Sequence, residues 1–267
     1  MARSWLADVF AAARPVIGMV HLLPLPGSPR YGGDMRAVRD AALRDAESLV
    51  EGGIHGLLLE NYGDVPFWPR RVPAAVVAHM TALAAELRRR FPVPLGINVL
   101  RNDGRGALAA AHAAGAQFIR VNVLCGARLS DQGILQGIAP KLLRDRARLG
   151  ADVKILADVD VKHSAPLAPR PIQAEAQEML ARGLADGLIV SGAATGQPVD
   201  PAELRAVRAA ACGRPVLVGS GITAENFGQY LDAADGFIVG TWLKREGDIS
   251  QPIDPSRVKA LGALVGR

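Results

Sequence analysis

Cysteine is nearly absent. Cys125 and Cys212 are the two cysteines in 267 residues, which excludes a disulfide framework or a cysteine zinc cluster and points to a reducing compartment, with a cytoplasmic location expected. No apolar run approaches the roughly 18 residues of a membrane span. Residues 1–14 carry Trp5, Leu6, Val9 and Phe10, but Asp8 and Arg14 interrupt them. Metal motifs of the HxH, HExxH or CxxC kind are missing, and His55, His79 and His112 fall before a strand or on helical patterns. No cofactor is therefore expected to be required, and a divalent metal has no motif behind it. A dinucleotide fingerprint is missing too. The segment after the first apolar run, Gly27-Ser28-Pro29-Arg30-Tyr31-Gly32-Gly33, lacks the GxGxxG spacing. Charge of one sign is not concentrated: 31 basic and 26 acidic residues leave +5, with arginines such as Arg36, Arg39 and Arg44 scattered singly. Arg88-Arg89-Arg90 ends a helical pattern, where cations offset the helix dipole. Nucleic acid is thus not an expected partner, and the mild surplus suits a small anionic ligand.

What the chain does have is aliphatic residues in a regular cadence. A helical pattern ends in Gly or Ala, a short turn follows, and an apolar run begins. Gly53-Ile54-His55-Gly56-Leu57-Leu58-Leu59 and Gly115-Ala116-Gln117-Phe118-Ile119-Arg120-Val121 show it, as do the runs entered at Gly183 and Ala233. Adding Val16 to Val20, Leu95 to Val99, Val153 to Ala157 and Val216 to Val218 gives eight strands, with a helical pattern between each neighbouring pair. Met35, Val38, Ala42, Ala46, Leu49 and Val50 fall on one helix face. Asp200-Pro201 and Asp254-Pro255 mark helix starts, with an N-cap followed by a proline at the first helical position. Eight alternating units in a chain near the ~250 residues usual for this architecture predict one domain over residues 1–267, a (β/α)₈ TIM barrel behind an N-terminal extension, residues 1–14.

In such a barrel the polar residues at strand C-terminal ends form the site. The last two strands run into Val218-Gly219-Ser220-Gly221-Ile222 and Val239-Gly240-Thr241, where glycines let backbone N–H groups approach an anion and the hydroxyls of Ser220 and Thr241 add donors. The sixth strand leads into Ser191-Gly192-Ala193-Ala194-Thr195-Gly196. Phosphate binding is assigned to Ser191, Gly192, Thr195, Gly196, Gly219, Ser220, Gly221, Gly240 and Thr241. Elsewhere on the rim, His21, Glu60, Asp158, Lys162 and His163 are the candidate catalytic groups. Asn61, Asn98, Arg120, Asn122 and Asp160 are the candidate substrate-binding groups, the asparagines for a ligand rich in hydroxyls. Glu60 serves as acid or base, or pairs with Arg101 or Arg120. Asp158 and Asp160 share one side of an extended segment and act as a base with its partner or as ligands for a cation. Asp160 alternatively pairs with Lys162, whose simplest role is to bind an anion. Cys125 near the fourth strand end is read as an inert small residue.

Four segments resemble the BtpA/SgcQ family. They are Val16-Ile17-Gly18-Met19-Val20-His21-Leu22-Leu23-Pro24-Leu25-Pro26-Gly27-Ser28-Pro29, Glu60-Asn61-Tyr62-Gly63-Asp64-Val65-Pro66-Phe67, Arg120-Val121-Asn122-Val123 and Asp158-Val159-Asp160-Val161-Lys162-His163. The resemblance runs nearly end to end. It implies a ribulose-phosphate-binding type of barrel and, through the role that named the family, a part in photosystem I biogenesis.

Polar groups at six strand ends lead to an expected enzyme: an isomerase, epimerase or lyase acting by acid–base chemistry on a phosphorylated sugar or a phosphoribosyl or nucleoside-type compound. The resemblance implies the alternative, a non-catalytic assembly factor for a membrane complex. Such a factor would expose an apolar patch, for which Phe67-Trp68-Pro69 with Trp242 is the candidate. A metal-dependent hydrolase using His21, Asp158 and His163 is a third reading. Many barrels associate, and Trp5 with Phe10 is a candidate contact for a homo-oligomer.

Overall fold

The structure is a computed structural model that describes residues 5–192 and 194–265. Eight parallel strands close into a barrel: β1 (Val16–His21), β2 (Gly56–Glu60), β3 (Leu95–Asn98), β4 (Phe118–Val121), β7 (Lys154–Asp158), β9 (Gly187–Val190), β10 (Val216–Val218) and β11 (Gly236–Val239). They are the eight apolar runs read from the sequence. Around them stand α2 (Met35–Glu51), α3 (Ala74–Arg90), α4 (Gly104–Ala114), α5 (Ala139–Leu149), α6 (Ile172–Ala181), α7 (Pro201–Ala210) and α8 (Pro255–Val265). Asp200 caps α7 by accepting from Ala202 N–H at 2.8 Å, and Gly115 ends α4 at φ +71°, a conformation that suits glycine.

Strand alternation sorts the apolar residues into two layers. Ile17, Met19, Leu58, Phe118, Leu156, Ile189, Leu217 and Ile238 fill the barrel interior, while Val16, Val20, Leu57, Leu59 and their counterparts meet the helices. The residues expected to pair copies of the chain do something else. They lie on the short helix α1 (Trp5–Phe10), which closes the bottom of the barrel: Leu6 and Phe10 are buried with the interior layer. The Phe10 ring lies 5.7 Å from that of Phe118, and Trp5 Nε1 donates to the Asp186 carbonyl at 3.0 Å.

Two departures from the sequence reading bear on the mouth. The connection between β10 and β11 is not an α-helix but a 3₁₀ turn, Phe227–Tyr230. Thr223 and Asn226 cross-bond through side chains and backbone, and Asn226 Nδ2 reaches the Gly221 carbonyl at 2.7 Å. That local bonding competes with helix formation and ties the turn to the glycine loop. The second departure is a small antiparallel sheet of β5 (Ala127–Ser130), β6 (Gly133–Gln136) and β8 (Ser164–Pro166), contributed by the loops after β4 and β7. Its inner face packs through Leu135 against Val123 and Val161. Leu129 and Ile134, paired across β5 and β6, are exposed on the other face.

Truncating the plug tests this role. Phe10→Ala should cost about 3 kcal/mol or more, the range for deleting a buried aromatic ring, read as a lower urea midpoint, and should leave the oligomeric state in sedimentation unchanged. Loss of association without loss of stability would contradict the plug.

Candidate functional site

The strand registers set the rim. His21 lies beside Glu60 and Glu60 beside Asn98 on three adjacent strands. On the next two, Arg120 and Asp158 form a buried ion pair, with Nη2 to Oδ1 at 2.9 Å and Nε to Oδ2 at 3.1 Å. Asn122 Nδ2 adds a third bond to Asp158 at 2.6 Å. This unit forms the floor of a cavity of ≈ 500 Å³ at the C-terminal mouth.

The cavity has two unlike walls. One is built by Gly219 to Thr223, Gly240 to Trp242, Thr195 and Gly196, with no acidic side chain. Its glycines allow close approach of loops: a Cβ at Gly221, which sits at φ +68°, would stand 2.2 Å from the Gln197 carbonyl oxygen, and one at Gly240 would stand 2.9 Å from His21 Cε1. Among the described residues, none accepts a hydrogen bond from the N–H of Gly221 or Ile222. The other wall carries Arg101, Lys162 and His163, with Asp131 and Gln132 at its edge.

Of the nineteen rim residues singled out from sequence, the cavity brings together thirteen: His21, Glu60, Lys162, His163, Arg120, Asn122, Thr195, Gly196, Gly219, Ser220, Gly221, Gly240 and Thr241. The rest stand behind it. Asn98 donates to Glu60 at 2.7 Å. Asn61 bonds Asp64 and accepts from Leu100 N–H, and so braces the loops after β2 and β3. Asp158 is covered by its partners. Asp160 points away from the mouth: it pairs with Arg128, which also reaches Glu175 at 3.3 Å, and makes no ion pair with Lys162. The Ser220 hydroxyl is engaged by Gly192 N–H at 2.8 Å and the Gln197 carbonyl at 3.2 Å, which binds two loops together. Ser191 and Gly192 lie beneath that junction, and Ala193 lies outside the described residues. His163 Nε2 meets Thr195 Oγ1 at 2.9 Å across the mouth. Tyr62, Phe67, Trp242, Asp131 and Gln132 also line the cavity. Phe67 and Trp242 were expected in an exposed apolar patch and instead face the cavity, while Tyr62, Asp131 and Gln132 were not assigned from sequence, since none ends a barrel strand.

Electrostatics follow from burial. His21 is held well below its usual pKa, first by burial and then by the charges of Lys244, Lys162 and Arg120. It is therefore neutral, and its 3.7 Å approach to Glu60 is a polar contact between a neutral ring and an acid. Burial raises Glu60, against the pull of Arg120 and Lys162 and the Asn98 bond. Lys162 is lowered to about 8, chiefly by burial and then by Arg120. Three buried polar atoms on cavity-lining residues have no partner among the described residues: His21 Nδ1, Arg101 Nε and Asn122 Oδ1. Buried groups of this kind call for a polar occupant. Among the described residues no group of three or more His, Cys, Asp or Glu side chains is placed to hold a metal ion. His21, Asp158 and His163, the set considered for a hydrolase, form no such group.

Fold and site thus define a (β/α)₈ barrel with a polar, ligand-sized cavity at the mouth. The family model described as the BtpA family matches residues 12–267, and the chain belongs to this family. It is 49% identical over 255 residues to the photosystem I biogenesis protein BtpA of Synechocystis sp., covering 96% of this chain and 89% of that protein. It is 43% identical to an uncharacterised protein of Pyrococcus furiosus, covering 96% of each. Among solved structures, Mycobacterium tuberculosis tryptophan synthase aligns with a TM-score of 0.64 at 17% identity, covering 98% of both chains, which is a likeness of fold alone.

These findings correct the expectation of an isomerase, epimerase or lyase acting on a phosphosugar-like compound. The 49%-identical relative of Synechocystis is named for photosystem I biogenesis and not for a reaction of that class. Many of the polar strand-end groups also bond one another. Asn98 and Glu60, Asn61 and Asp64, and Arg120, Asn122 and Asp158 are largely each other's partners. No described helix is long and apolar enough to cross a membrane.

Two outcomes are expected. Arg120→Met leaves Asp158 buried without its counter-ion and should cost about 3–5 kcal/mol in chemical denaturation; a loss under 1 kcal/mol would contradict the floor. Lys162 should titrate near 8 in side-chain NMR. The folded chain releases that proton at about 8 and the unfolded chain at the ordinary 10.5, so the unfolded state holds more protons between these values. This group's contribution therefore makes stability rise with pH across that window. A Lys162 midpoint near 10.5 would contradict its burial.

Proposed function

We propose that the chain is a biogenesis factor for a membrane complex that works by binding and not by turnover, and that its barrel mouth holds a small organic anion bearing a phosphate. The observation that carries the first part is the 49% identity, over 96% of the chain, to the photosystem I biogenesis protein of Synechocystis. Such a factor needs a surface for protein partners. Trp68, 56% exposed, and the Leu129–Ile134 pair supply exposed apolar side chains. The first belongs to the segment singled out from sequence; Phe67 and Trp242 instead line the cavity.

The glycine wall supports the ligand. Small residues, N–H groups at Gly221 and Ile222 that find no acceptor among the described residues, the Thr241 hydroxyl and the lack of an acidic side chain all favour a phosphate there. On this reading Lys162 and Arg101 set the sign of the cavity, His21 and Asn122 meet the body of the ligand, and Asp158 holds Arg120 in the floor.

Complementation tests the role. A Synechocystis strain lacking its own BtpA should regain photosystem I, measured per chlorophyll, when this chain accumulates to the native level; no recovery at that level would contradict the proposal. For the ligand, inorganic phosphate at about 100 times its dissociation constant should add roughly 2.7 kcal/mol of stability. Thr241→Asp should weaken that effect at least severalfold, and an unchanged effect would place the phosphate elsewhere.

A further inference from the structure

Among the described residues, each buried cation near the barrel mouth has a carboxylate except Arg101, and the half-buried Lys162 lacks one too. Arg120 has Asp158, Arg128 has Asp160 and Glu175, and Lys244 has Asp45 at 2.5 Å. Arg101 and Lys162 have none. Arg101 is only 6% exposed, spends Nη2 on the Lys162 carbonyl at 2.5 Å and leaves Nε buried without a partner. Among the described residues, the Lys162 ammonium makes no hydrogen bond and no ion pair. Glu60 and Asp158 are within electrostatic reach but are held by Asn98 and by Arg120 with Asn122. Asp131 lies at the edge, exposed, bonded to Gln132 and in no ion pair with Arg101.

We propose that the ligand of this mouth carries two anionic groups, the second of them, a carboxylate or another phosphate, seated between Arg101 and Lys162. The inference rests on the ligand reading above and extends it. Going round the closed barrel, β3, which leads into Arg101, is diametrically opposite β10, which leads into the glycine loop. A phosphate on the glycine wall therefore leaves Arg101 for the far end of the molecule, and Arg101 holds the backbone of Lys162, which follows β7, midway between β10 and β3. Two adjacent unpaired cations in a cavity are costly unless an anion completes them, and the fork of Arg101 suits a planar carboxylate or a phosphate oxygen pair. Between the ends, Asn122 Oδ1 needs a donor and neutral His21 Nδ1 a partner. Hydroxyls on the body of the ligand provide both. A cavity of ≈ 500 Å³ holds such a molecule.

Calorimetric titration of the full chain with matched pairs decides it. Glucitol 6-phosphate is compared with 6-phosphogluconate, which adds a carboxylate, and fructose 6-phosphate with fructose 1,6-bisphosphate, which adds a phosphate. In at least one pair the compound with two anions should bind about tenfold tighter or more, the worth of a charge-assisted hydrogen bond, and the pair that shows it identifies the second group. Arg101→Gln and Lys162→Met, each checked for an intact thermal transition, should shrink that ratio towards one. Equal affinity within both pairs, with phosphate still bound, overturns the second anion site and leaves the ligand reading standing. A ratio that survives both substitutions overturns the assignment to Arg101 and Lys162. No binding of any of these compounds or of inorganic phosphate overturns the ligand reading itself.

Discussion

The bidentate pairing of Arg120 with Asp158 is the interaction on which the mouth depends. It places a cation and an anion side by side under the cavity and uses up both. With Asn122 as a third donor, the carboxylate is satisfied without water. Its presence is why the remaining charges read as they do. Asp158 is not available to Lys162 or Arg101, Glu60 is held by Asn98, and among the described residues the two cations at the cavity have no ion pair. A buried pair of this kind contributes little net stability by itself. Its consequence is the positive wall it leaves behind.

A second constraint is backbone proximity at the other wall. Gly221 fits where any Cβ would strike the Gln197 carbonyl, and Gly240 fits against His21. Ser220, which a sequence reader assigns to a phosphate, spends its hydroxyl joining the two loops. The loops are thus held by side-chain and backbone bonds among themselves, and their smooth, acid-free surface is left to the cavity.

The barrel was legible because buried parallel strands are written as short apolar runs and because glycine and aspartate punctuate the helices between them. The small sheet of β5, β6 and β8 was not, since its strands of three or four residues carry no long alternation; the turn at Gly133 was its faint signal. Strand-end position told where Asn61, Asn98, Asp158 and Asp160 lie but not whom they bond. Asp160 is the clear case: two residues beyond Asp158, it leaves the strand and turns to Arg128. Taking each polar strand end as chemistry produced the enzyme reading, whereas many of those groups satisfy one another. Trp5 and Phe10 show the same lesson for packing, because an apolar segment before the first strand serves equally as an interface or a plug.

On the proposed reading, this member of the BtpA family carries a small organic anion in its barrel mouth. Native mass spectrometry of the chain isolated from its own cells in phosphate-free volatile buffer tests it most directly. A discrete adduct of one small molecule per chain, lost on unfolding and depleted in the Lys162→Met variant, is expected. A spectrum of bare polypeptide alone, unchanged after incubation with a mixture of phosphorylated and carboxylated metabolites, would contradict it.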